Sequence, residues 1–128
     1  GLFPTLLERR GLAPALSAHF AKQGLVALTV EPSADRRFDS AVEAATYLFC
    51  IEAAANAVGG SADITIAVQS EHVEITVEGT ELTGTGDIQL AVDRVEAIGG
   101  ESSVVASPEG RQALLAQIPL RHEFSQLD

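Results

Sequence analysis

From Asp39 to Gly60 the chain reads DSAVEAATYLFCIEAAANAVGG, where apolar residues fill nearly every helical position and the second half carries only one acid and one amide. A helix apolar almost all round is normally buried on several sides. The pattern predicts one helix over Asp39–Val58. Ser40 and Glu43 match the S-x-x-E capping box that fixes a first turn, and Gly59 and Gly60 suit a left-handed stop. Glu52 and Asn56 stand four residues apart and therefore share one face, about one turn from each other.

Upstream, Pro4–Arg10 and Pro14–Gln23 read as two short helices. Gly11 ends the first and Pro14 sits in the first turn of the second. Leu12, Ala15, Leu16 and Phe20 supply their apolar stripe. Leu25–Val30 is a run of strand length, followed by a polar connection over Glu31–Phe38.

Downstream the period changes to two. Ile64, Ile66 and Val68 alternate with polar or small residues, and Val73, Ile75 and Val77 do the same after a turn at Ser70–His72. This predicts a hairpin of Asp63–Gln69 with Val73–Glu78, one face in the core and His72 exposed at the turn. Gly79–Gly86, GTELTGTG, reads as a loop. Ile88, Leu90, Ala91, Val92, Val95 and Ile98 form an amphipathic helix closed by Gly99 and Gly100. Ser103–Ala106 and Ala113–Ile118 make a second hairpin around Ser107-Pro108-Glu109-Gly110. The polar tail from Arg121 is expected to fray. The segregation of helices and strands predicts an α+β fold, a two-layer sandwich with helices on one face of a mixed, mostly antiparallel sheet. Residues 1–24 form a helical linker segment, 25–120 the domain and 121–128 a tail.

Composition then removes whole classes of function. The 128 residues suit a single domain with a real core, and no apolar run is long enough to span a bilayer. A net charge of −10 gives no electrostatic footprint for nucleic acid. The single cysteine, Cys50, has no sequence neighbours that suggest a metal and cannot form an internal disulfide. A reducing, cytoplasmic setting is expected, with no membrane contact by this segment. Its abrupt start, without initiator Met or signal peptide, suggests a piece of something longer.

An isolated carboxylate on a buried helix is expensive. From the residues alone, Glu52 is therefore one of three things: an acid at an exposed edge of the helix, the partner of an arginine such as Arg94, or a functional group. Asn56 either ties down a loop or serves the same site. The lone His19 has no nearby ligand partner and reads as an edge histidine.

Tyr47 through Asn56, the V-x-I-x-V strand, the glycine loop, Asp93-Arg94-Val95-Glu96-Ala97-Ile98-Gly99-Gly100 and the closing Ser107–Arg111 and Ile118–Leu120 segments together resemble the catalytic, ATP-binding domain of bacterial sensor histidine kinases. This is the GHKL or Bergerat-fold ATPase type. The opening GLFPTLLERRGLAPAL is similar to the segment that joins dimerisation helices to this domain in actinobacterial kinases of the nitrate-sensor class.

The resemblance implies ATP and Mg²⁺ as cofactors. Glu52 would orient or activate the transfer, and Asn56 would hold the metal. Gly84, Gly86 and Gly110 would lie along the nucleotide. It also implies as partners a dimerisation and phosphoacceptor region, of the same kinase or a partner kinase, and a response regulator. The phosphoaccepting histidine is expected upstream of Gly1.

Four motifs depart from the family pattern. Gly59 and Gly60 stand where Lys and His are expected. Gly79 replaces the aspartate that holds the adenine amine, and Glu81 the following glycine. Asp87 enters the G-x-G-L segment at Thr85-Gly86-Asp87-Ile88, and Gly110-Arg111-Gln112-Ala113 replaces G-x-G-T. The resemblance thus implies weakened or lost nucleotide binding, with Gly79→Asp the change expected to restore most. A non-catalytic interaction module of the same fold and an anti-sigma-factor serine kinase-like domain remain the alternatives.

Overall fold

The computed structural model describes residues 4–22, 25–56, 61–79, 86–106 and 112–120. Two short helices, α1 (Thr5–Arg10) and α2 (Leu12–Ala21), lead into strand β1 (Val26–Val30). A single 3₁₀ turn at Pro32–Ala34 follows, then the long helix α3 (Ser40–Ala55), the hairpin β2 (Ala62–Gln69) and β3 (His72–Glu78), helix α4 (Gly86–Ala97), and strands β4 (Glu101–Ala106) and β5 (Gln112–Pro119).

The five strands form one sheet in the order β1-β2-β3-β5-β4. β1 runs parallel to β2 and is joined to it across α3, as a parallel pair requires. The other three pairings are antiparallel. The α+β fold read from the sequence is therefore the fold observed, with each strand lying within a residue or two of its expected bounds.

Register explains the core. Ile64 lies opposite Val77, Ile66 opposite Ile75 and Val68 opposite Val73, while Val77, Ile75 and Val73 face Leu114, Ala116 and Ile118 on β5. These in-phase positions turn one face of the sheet toward Val42, Ala45, Phe49 and Ala53 of α3, and Ala91 and Val95 of α4, in a single buried cluster. Leu7, Leu12, Ala15, Leu16 and Phe20 of the N-terminal helices belong to the same cluster. At the end of α4, a Cβ on Gly100 would lie 2.7 Å from both Gln117 O and Val95 Cγ1. Only glycine lets that turn pass so close to β5.

Several local expectations are corrected. Ser40 is the first helical residue of α3 and not its cap, and Asp39 holds the N-cap position. The Ser40–Glu43 capping box does not form, because the Glu43 carboxylate turns back to the Arg37 guanidinium and accepts the N–H of Phe38 instead. α3 is described over Ser40–Ala55, with Asn56 as its C-cap residue at φ −93°, and the expected continuation to Val58 lies outside the described residues. His72 opens β3 opposite Gln69 and is half-buried. The two-residue turn before it is formed by Ser70 and Glu71, at φ 51° and 63°, the left-handed pair that matches the twist of a tight hairpin.

Candidate functional site

α3 is an unlikely carrier of polar chemistry, since nine of its residues are buried, and for that reason its polar residues are informative. Toward its C-terminal end Glu52 and Asn56 are both half-buried. Glu52 is not enclosed in apolar core and keeps access to water. The Asn56 side chain folds back along the helix, and its Nδ2 donates to the main-chain oxygen of Glu52 at 2.7 Å. That bond satisfies one of the carbonyls left open at a helix end and fixes the plane of the amide. The two residues that the sequence places on one face are thus physically joined.

An amide oxygen is a hard donor of the kind Mg²⁺ accepts, and Mg²⁺ completes its shell with water and phosphate oxygens. On donor chemistry, Asn56 fits the metal end of a Mg-nucleotide.

The other end does not fit. Gly79 follows β3 at φ 94° and donates its N–H to Gln112 O at 3.4 Å. It has no side chain to receive an adenine amine, and its backbone is one that other residues adopt only with strain. An aspartate there would have to take that φ, which the sequence does not show. Glu78 offers no substitute: it pairs with Asp63 and Ala113, out of phase with the core-facing Val77. Gly86 opens α4. Gly84 and Gly110, Gly59 and Gly60, and most of the expected Gly79–Gly86 loop lie outside the described residues.

A second polar centre lies at the opposite end of α3, around Glu43 and Arg37. Glu43 is only 2% exposed. Its carboxylate accepts from Arg37 Nε at 2.9 Å and Nη2 at 3.1 Å, and from the Phe38 N–H at 3.0 Å. Arg37 also donates to two main-chain oxygens at the end of α1, Glu8 O at 3.0 Å through Nη2 and Arg9 O at 3.3 Å through Nη1. The hydrogen bond to Glu43 holds the Arg37 pKa above its ordinary value. A cavity of about 450 Å³ opens beside this group, lined by Leu7, Glu8, Arg37, Ser40, Ala41, Glu43 and Ala44. The spacing of Arg37 and Glu43, six residues across a helix start, matches no helical or strand period.

His19 lies edge-on to Phe20 and Tyr47, with ring centroids 5.0 and 6.2 Å away. Burial pushes the Cys50 thiol and the Tyr47 phenol up from their ordinary pKa values. Among the described residues no cluster of His, Cys, Asp and Glu could hold a metal by itself, and no helix is long and apolar enough to cross a membrane.

No protein-family profile matches this sequence. No curated protein matches it either. Solved structures do. The catalytic domain of histidine kinase ThkA superposes with a TM-score of 0.64 at 14% identity, over 88% of this chain and 93% of that domain. The ATP-binding domain of PrrB from Mycobacterium tuberculosis gives 0.60 at 15% identity, over 86% and 91%. The histidine kinase domain of the blue-light activated kinase of Erythrobacter litoralis EL346 gives 0.62 at 19% identity. The chain covers 59% of that last structure, and 41% of a longer structure of the same kinase. At such identities the likeness establishes a shared fold, that of histidine kinase catalytic domains.

Proposed function

We propose that this chain is the ATP-binding catalytic domain of a two-component sensor histidine kinase, of weakened nucleotide affinity, and that it serves in signal transduction in the cytoplasm. The observation that carries the reading is the Asn56 amide, pinned by its 2.7 Å bond to Glu52 O beside a half-buried carboxylate. This pair stands at the end of the central helix of a fold shared with histidine kinase catalytic domains.

Bound Mg-ATP would supply the phosphoryl group. Asn56 would present its amide oxygen to the metal, and Glu52 would orient the accepting group or draw off its proton. Gly84, Gly86 and Gly110 would approach the phosphates through bare backbone. The acceptor would be a histidine on a dimerisation region, of the same kinase or a partner kinase, with a response regulator downstream. The opening segment supports an actinobacterial, nitrate-sensor-like kinase.

Weak affinity is argued from Gly79. A charge-assisted hydrogen bond to the adenine amine contributes about 1.5 to 3 kcal/mol, roughly tenfold to over a hundredfold in affinity. Gly79 cannot make it. The same observation favours, as a second reading, a non-catalytic partner-binding module of this fold. Calorimetric titration with Mg-ATP, with Asn56→Ala as control, separates the two, since a module that has left nucleotide behind gives no Asn56-dependent heat.

A further inference from the structure

We propose that Arg37 is a positioning residue, a latch that clamps α1 to the head of α3 and so couples the chain entering the domain to the end of α3 that carries Glu52 and Asn56. The functional half of this statement rests on the reading of α3 as the nucleotide helix. The mechanical half does not.

α1 is six residues long and buries only Leu7. A helix that short does not hold itself together in water, and its apolar anchors are Leu7 and the partly buried Leu6. Its polar tie is Arg37, whose guanidinium donates to the Glu8 and Arg9 carbonyls in its last turn. Those carbonyls have no partner within the helix, and a cation there is also favoured by the helix dipole. The same guanidinium grips Glu43 in the first turns of α3 through two parallel bonds, the fork geometry that lysine cannot reproduce.

Of the five N–H donors an arginine carries, four are thereby used, two on each helix. Arg37 is consequently committed to joining elements and has little left for a ligand. Gly11, at φ 94°, completes the fit: a Cβ there would lie 2.7 Å from Arg37 Cδ and 2.9 Å from Nε. The joint between α1 and α2 thus rests directly on the latch. From Glu43 the helix runs uninterrupted to Ala55, so a tilt imposed at its head is carried to Asn56.

Amide hydrogen exchange on this chain, compared with Arg37→Gln and Arg37→Lys, tests the proposal. Both variants should exchange at least about tenfold faster in α1 and also in the last turn of α3, Ala53–Asn56, while β2, β3 and β5 keep their native rates. Unchanged α1 rates overturn the latch. Faster α1 with an unchanged last turn of α3 overturns the coupling, and equal acceleration throughout the sheet in both variants makes Arg37 a general stability element, which overturns the proposal as well. Mg-ATP titration of the native chain is run in parallel. Silence there removes the nucleotide reading, while the exchange pattern still decides the latch.

Discussion

Gly11 and Arg37 are fitted to each other: at φ 94°, the Cβ of any other residue at position 11 would sit 2.7 Å from Arg37 Cδ. Gly11→Ala should therefore lower stability by about 1 to 2 kcal/mol through backbone strain alone, read from denaturant midpoints. Since alanine would also push Arg37 aside, the double variant with Arg37→Gln should lose less than the two single losses added together. Strict additivity would show that glycine and arginine act separately.

Glu43 and Glu52 lie on the same helix and should behave oppositely. Glu43→Ala strips the acceptor from the buried Phe38 N–H, and a buried donor left unsatisfied costs about 1 to 3 kcal/mol. Glu52→Ala removes a half-buried carboxylate with no such dependant and should change stability by less than about 0.5 kcal/mol. Urea unfolding of the two variants checks the ranking, and equal losses would mean that Glu52 is structural.

Cys50 predicts the alkaline side of the stability profile. Burial raises its folded pKa, so the fold keeps the thiol neutral while the unfolded chain ionises above about pH 8.5. The unfolded state then binds fewer protons, and this contribution, intact below that pH, is lost as pH rises, by up to about 1.4 kcal/mol per unit. Between pH 8 and 9.5 the Tm of the native chain should fall more steeply than that of Cys50→Ala. Parallel slopes would place the thiol in contact with water.

Gly79→Asp is expected to lower the Tm and to leave Mg-ATP affinity where it was. At φ 94° an aspartate is strained by about 1 to 2 kcal/mol. A gain of tenfold or more in affinity would instead show that the backbone accommodates the carboxylate.

The strands were legible because alternation is a strong local signal: Ile64, Ile66, Val73, Ile75 and Val77 all reach the core as their period requires. The parallel pairing of β1 with β2 and the order of the sheet are long-range facts that no local period carries. At the site, the i, i+4 spacing placed Glu52 and Asn56 together, and the structure adds the bond from the Asn56 amide to the Glu52 main chain. Ser40 and Glu43 misled for a physical reason. The capping-box spacing was present, but a guanidinium six residues upstream competed for the same carboxylate and won. At Gly79 the missing side chain is visible in the sequence and the positive φ is not.

The most direct test of the nucleotide reading is calorimetric titration of the chain with Mg-ATP, repeated with Asn56→Ala and with Mg²⁺ chelated. Losing the adenine anchor alone weakens binding roughly tenfold to a hundredfold, so the account predicts weak binding that is lost in the variant and without the metal. Micromolar binding, or heat indifferent to Asn56, would contradict it.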